Sequence, residues 1–204
     1  MTSLKVKLSK IISSLILSAS LSLVFVSGGD LEPTLKKGDK APLFMVQDLK
    51  YNKFTLSSVL EDAKENNDLV IFDFFATWCV PCKKEFPVFE KVYKELEEKG
   101  VKFYAISIDA DRKALWKFIK ADTKVTFPVL YDANAFNAGK KYGADKVLPQ
   151  LFIIDSKGTV QFSHVGEILN LEEVLKSEIE KIKPGSFPEY KDVKAKTGES
   201  AAKE

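Results

Sequence analysis

Hydrophobic residues in this chain fall into two kinds of run. Leu69 to Phe75 reads LVIFDFF, a nearly unbroken apolar stretch of strand length, which suits a central strand covered on both faces. From Val80 the period changes. Phe86, Phe89, Val92, Tyr93 and Leu96 recur at helical spacing until Gly100, which predicts a helix over 80–99. Val101 to Ile108 (VKFYAISI) repeats the buried-strand pattern, and Asp111 stands where it caps a helix carrying Leu115, Phe118 and Ile119. Phe127 to Leu130 predicts a short strand, and Asp132 the cap of a helix running to Lys141. Leu151 to Ile154 and Val160 to Ser163 flank the turn Asp155-Ser156-Lys157-Gly158 and predict an antiparallel hairpin. A last helix carries Leu171, Val174, Leu175, Ile179 and Ile182 on one face, with Asn170 as its N-cap and Glu173 three residues on.

Ahead of the central strand, Ala41 to Val46 and Lys53 to Thr55 predict a short strand pair, and Leu56 to Lys64 a helix. Asp30 to Lys40 reads as a polar linker. From residue 184 onward Pro, Gly, Ser, Lys and Glu dominate, which predicts a disordered tail over 184–204. Parallel strands alternating with helices, closed by a hairpin and a helix, predict an α/β fold with a central mixed β-sheet and helices on both faces. The early strand pair is then an N-terminal β extension. At 204 residues the chain suits one domain with extensions better than two domains.

The N-terminus bears on compartment. Lys5, Lys7 and Lys10 precede an uncharged stretch from Ile11 to Val26, and small residues Ser27-Gly28-Gly29 follow. That layout over 1–29 predicts a signal peptide or an uncleaved membrane anchor, and hence an extracytoplasmic protein, periplasmic or on the outer face of a membrane. The apolar run is shorter than the roughly 20 residues a spanning helix needs, which favours the signal peptide. Without these residues the balance is 28 basic against 29 acidic side chains, too even to present a basic field, so nucleic acid is excluded as a partner.

The chain has two cysteines, Cys79 and Cys82, and one histidine, His164. Two cysteines make neither a disulfide-rich scaffold nor a four-ligand zinc site, and Lys83 stands where haem attachment would need a histidine. A redox pair or a small structural bridge remains. The pair sits where a buried strand ends and a helix begins. Three residues along a helix put the two Cα atoms roughly 5 Å apart, a disulfide distance. At the helix start, unsatisfied N–H groups and the positive dipole end favour the thiolate of Cys79 over its thiol, below the free value of about 8.5. Cys79 is then the attacking sulfur and Cys82, further into the helix, the resolving one. His164, far in sequence from the cysteines, reads as a surface residue.

The stretch 37–183 resembles the TlpA/ResA-like branch of the thioredoxin superfamily. The resemblance is carried by Gly38-Asp39-Lys40-Ala41-Pro42 and by Trp78-Cys79-Val80-Pro81-Cys82-Lys83-Lys84-Glu85-Phe86-Pro87. Phe127-Pro128-Val129 and Leu148-Pro149 followed by Phe152-Ile153-Ile154-Asp155 and Gly158 complete it. It implies a thioredoxin-like fold, a redox-active disulfide between Cys79 and Cys82, and no cofactor. It also implies a cis peptide before Pro149, which offers the backbone of Leu148 to a bound peptide, with Trp78 as docking surface beside the sulfurs. Glu85 occupies a position where the family uses an acid, and Asp73 the position of the buried acid of thioredoxins. Which carboxyl handles the proton of Cys82 stays open. Gln150 departs from the usual Thr after the proline, which implies a different substrate choice.

The function implied is an extracytoplasmic thiol-disulfide oxidoreductase, foremost a reductase. Its substrates would be exported proteins with disulfides, such as apocytochrome c, and a thiol-electron donor in the membrane would recharge it. An oxidase or isomerase with the same site, and a binder of unfolded exported chains without turnover, are the alternatives. The reduction potential separates the first two, and replacement of Cys79 separates both from the binder.

Overall fold

The computed structural model describes residues 32–191 and 193–194. Seven strands form one mixed sheet: β1 (Met45–Asp48), β2 (Lys53–Thr55), β3 (Leu69–Phe75), β4 (Val101–Ser107), β5 (Val129–Tyr131), β6 (Gln150–Ile154) and β7 (Val160–Val165). Their spatial order is β2-β1-β5-β4-β3-β6-β7. Strands β3, β4 and β5 run parallel, whereas β1, β6 and the outer pairings are antiparallel. Five helices join them: α1 (Leu56–Asn66), α2 (Val80–Glu98), α3 (Arg112–Lys117, continued by a π-helical turn Phe118–Thr123), α4 (Ala138–Tyr142) and α5 (Leu171–Ile182). The expected α/β architecture with its N-terminal β extension is the one observed.

Strand β3 is buried along its whole length, as its sequence requires, and its side chains alternate between two aromatic layers. On one face Phe72 and Phe74 meet Phe44, Tyr142 and Phe152; on the other Phe75 meets Phe86 of α2 and Phe118, while Phe89 lies against Phe103 of β4. Such edge-to-face contacts add to the area they bury and fix α2 against the sheet. Because β3, β4 and β5 are parallel, their C-terminal ends share one pole. The antiparallel partners bring the start of β1, the start of β6 and the end of β7 to the same pole.

The structure departs from the sequence expectations in several elements. The strand expected over 41–46 is β1 at Met45–Asp48. Ahead of it Gly38 and Ala41 bond through their backbone N–H groups to Val160 and Gly158, so the linker expected to Lys40 is already attached to the sheet. The helix expected from Asp132 to Lys141 is broken, because Asn134 and Ala135 both take left-handed backbone angles; α4 starts only at Ala138. Asn170 does not cap α5 with its side chain, whose amide donates to the Lys194 carbonyl at 2.8 Å. The stretch expected to be disordered from 184 is packed on α5 for at least its first residues. Glu180 accepts the N–H groups of Gly185 and Phe187, Phe187 is buried, and a short helical turn spans Pro188–Tyr190. Polar composition alone cannot reveal a single buried aromatic anchored by a carboxylate. Residues 195–204 and the expected export segment, 1–29, lie outside the described residues, among which no helix is long and apolar enough to cross a membrane.

Candidate active site

Cys79 follows the end of β3 and is the N-cap of α2, with extended backbone angles. Pro81 falls in the first helical turn, where a missing N–H costs nothing, and the N–H of Cys82 donates to the Cys79 Sγ at 3.3 Å. A backbone donor at the mouth of a helix therefore stands against the first sulfur, the arrangement that stabilises negative charge there. The two cysteines are joined as a disulfide with Cα atoms 5.4 Å apart. Cys79 retains 5% exposure and Cys82 none, so the first sulfur is the one solvent or a partner reaches. Trp78, next to it, is 66% exposed: it lies on the surface at the sulfurs and not in the core.

Asp73 precedes the pair on β3 and Glu85 follows it on α2, and the two carboxyls lie close enough to interact. Glu85 is one turn past Cys82 on α2, 5% exposed, and its carboxylate accepts the N–H of Ile168 at 3.2 Å. Asp73 is almost wholly buried in β3, and neither of its oxygens has a hydrogen-bond partner among the described residues. Burial pushes the Asp73 carboxyl well above the usual carboxylate range. Burial does the same to Glu85, helped by the nearby charges of Asp73 and Glu167 and opposed by the Ile168 N–H. The two interact strongly, so they titrate as a pair. At neutral pH the pair holds protons that exposed carboxylates would have released.

Leu148, half-buried, precedes Pro149 through a cis peptide bond, as expected, and the Pro149 carbonyl accepts the N–H of Gly166. Gln150 does not reach outward. It is buried, and its amide donates to the carbonyls of Gly143 (2.8 Å) and Val147 (3.0 Å), tying down the loop that leads to Pro149. Any influence on substrate choice is therefore indirect. His164 is also not the surface residue its sequence position suggested. It is the register partner of Leu151, itself opposite Asp73, so the three side chains share one sheet face. His164 stacks on Phe162, its Nε2 is buried without a hydrogen-bond partner among the described residues, and burial lowers its pKa. Strand alternation from Val160 places His164 on this half-buried face of the edge strand.

One residue of the site was not foreseen. Asp109, in the loop after β4, is buried and accepts the N–H of Thr77 (3.0 Å), the Thr77 hydroxyl (2.7 Å) and the Ser107 hydroxyl (2.8 Å). It thereby pins the backbone two residues before Cys79. The signal was legible as a carboxylate closing the buried strand Val101–Ser107, but nothing in the sequence names Thr77 as its partner. Among the described residues no cluster of three metal-ligating side chains exists, and the chemistry offered is that of two sulfurs and a protonated carboxyl pair.

Comparison with known proteins agrees with this arrangement. The AhpC/TSA family model matches residues 37–163. The chain is 34% identical over 176 residues to the thiol-disulfide oxidoreductase ResA of Bacillus cereus, covering 86% of this chain and 95% of that one. It is 36% identical over 146 residues to the thioredoxin-like protein YneN of Bacillus subtilis, covering 69% and 78% respectively. Among solved structures, a Chlorobium tepidum protein assigned as the thiol:disulfide interchange protein DsbE superposes with a TM-score of 0.61 at 32% identity, covering 72% of this chain and 96% of that one.

Proposed function

The chain belongs to the TlpA/ResA-like thiol-disulfide oxidoreductases of the thioredoxin superfamily, and on that premise we propose that it reduces disulfides in exported polypeptides. It is a protein-disulfide oxidoreductase; the direction of electron flow, the compartment and the substrate are the proposal. The observation that carries the direction is the buried carboxyl pair of Asp73 and Glu85. Two buried neutral carboxyls supply no positive charge to hold Cys82 as a thiolate in the dithiol form. Only the helix mouth at Cys79 favours a thiolate, and a couple whose reduced form gains less from thiolate stabilisation gives up its electrons more readily.

In the reduced protein the Cys79 thiolate attacks one sulfur of a substrate disulfide, forming a mixed disulfide and expelling the other substrate sulfur as a thiolate. In the fraction of molecules whose pair has released a proton, its carboxylate, with Glu85 on the same helical face, accepts the proton of Cys82. The Cys82 sulfur then attacks that of Cys79, expelling the second substrate sulfur. Two electrons pass to the substrate, the protons end on its two thiols, and the protein is left with the disulfide observed here. An external dithiol must recharge it. The layout of residues 1–29 supports an extracytoplasmic setting, with a thiol donor in the membrane and substrates that include cysteine-bearing apocytochromes c.

Reduction of insulin disulfides by the full chain, with dithiothreitol as electron source, tests this reading. C79S is expected to abolish turnover, and C82S to accumulate a stable mixed disulfide with the substrate, visible as a mass adduct. Turnover retained in C79S overturns the mechanism.

A further inference from the structure

Phe136 is 85% exposed, an unusual cost for a large aromatic. Its loop follows β5, whose C-terminal end shares the pole of Cys79. Asn134 and Ala135, just before it, both have φ of 54°, a region that residues with a Cβ adopt rarely. The turn is nevertheless held. Asp132 accepts the N–H groups of Asn137 (3.0 Å) and Gly139 (2.7 Å), Ala135 is buried, and a Cβ on Gly139 would come within 2.5 Å of the Ala135 Cβ. The backbone N–H of Asn134 donates to the carbonyl of Asp109, the residue whose carboxylate pins Thr77. The turn that carries Phe136 and the loop that carries Cys79 are thus locked through one residue.

Two more exposed apolar residues adjoin it. Leu43 and Met45 lie at the start of β1, at the same pole. The Asn137 side chain donates to the Met45 carbonyl (2.8 Å) and Lys141 to the Leu43 carbonyl (2.7 Å), so the two strips of chain are stitched together. The protein therefore holds a fixed apolar patch, tied by hydrogen bonds through the buried Asp109 to the loop that leads to Trp78 and the sulfurs, on the side away from Leu148 and Pro149.

We propose that Phe136, with Leu43 and Met45, is the docking surface for an apolar segment of the polypeptide whose disulfide Cys79 attacks. The patch selects disulfides flanked by exposed hydrophobic sequence, as in chains not yet folded. This rests on the reductase reading. The shared pole and the link through Asp109 argue for the substrate chain over a second copy, because an occupant held at Cys79 lies at the same end of the sheet as this patch.

The test uses the full chain with dithiothreitol and two synthetic peptides that carry the same disulfide, one flanked by Leu and Phe, the other by Ser and Gly. For the wild type the apolar-flanked peptide is expected to have the lower KM. F136S is expected to raise that KM about tenfold, the effect of losing one buried aromatic contact, with kcat within about twofold. The Ser/Gly peptide and glutathione disulfide should be unaffected. M45S, on a separate strand, should act in the same direction. Equal effects of F136S on both peptides, or none on either, overturn the docking surface and leave the reductase standing. A concentration-dependent dimer that F136S abolishes with the peptide KM unchanged assigns the patch to a second copy and overturns it likewise. A wild type that reduces neither peptide removes the reductase reading, and the docking surface with it.

Discussion

Cys82 must lose a proton before its sulfur can attack the mixed disulfide, and Glu85 stands one turn along the same helical face with Asp73 behind it. If the pair takes that proton, E85Q should slow release of substrate from the mixed disulfide by at least about 10²-fold, the usual range for a positioned base, while attack by Cys79 is unchanged. Stopped-flow separation of the two steps checks this. Asp73 also leaves a mark on stability. Burial keeps its carboxyl protonated in the folded chain at pH values where the unfolded chain, with an aspartate near pKa 3.9, has released the proton. The folded state then binds more protons, so stability is fullest below about pH 4 and falls as the pH rises towards the raised native value. D73N removes that loss. Its melting temperature should match the wild type near pH 4 and exceed it by about 5 °C at pH 8, a gain of the order of 2 kcal/mol for a chain of this size. Equal melting temperatures at both pH values would mean the carboxyl is not desolvated.

At the scale of elements, the site is a junction where the end of β3, the start of α2 and the loop after β4 meet. Strand β3 and helix α2 were legible because each has an undiluted period, LVIFDFF in one and Phe86, Phe89, Val92 and Leu96 in the other. The β3 boundaries from sequence coincide with those observed, and those of α2 differ by one residue. The junction itself was not, since it depends on Asp109 reaching 32 residues back in the chain to Thr77, a pairing no local pattern encodes. T77V keeps the shape and removes the hydroxyl donor to a buried carboxylate. It should cost about 1.5–3 kcal/mol in urea unfolding, in line with hydrogen bonds to charged groups, and weaken insulin reduction. Helix α2 is also tied to α5 through its charged side chains. Lys91 and Glu95 pair with Glu172 and Lys176 of α5, at 2.6 Å and 2.9 Å. The broken helix after Asp132 failed expectation for a related reason: two left-handed residues without glycine leave no sequence mark.

For the whole molecule, a parallel core gathers three strand ends at one pole, and the added antiparallel strands bring β1, β6 and β7 to the same place. The sulfurs, the buried carboxyl pair and the apolar patch around Phe136 all sit there. The redox pair was readable because strand, cysteines and helix are consecutive in sequence. The patch was not, because its residues come from β1 and from the loop after β5. Everything proposed about electron flow reduces to the equilibrium of one dithiol with one disulfide. Equilibrating the full chain with graded glutathione or dithiothreitol buffers, then alkylating and weighing it, measures that directly. The account predicts a single two-electron transition, with a slope of about 30 mV per tenfold change, centred below about −200 mV on the reducing side of the family's range. A midpoint near −120 mV would make the protein an oxidant, and a Cys79–Cys82 bond that does not exchange with the buffer would make it a structural staple. Either result contradicts the account.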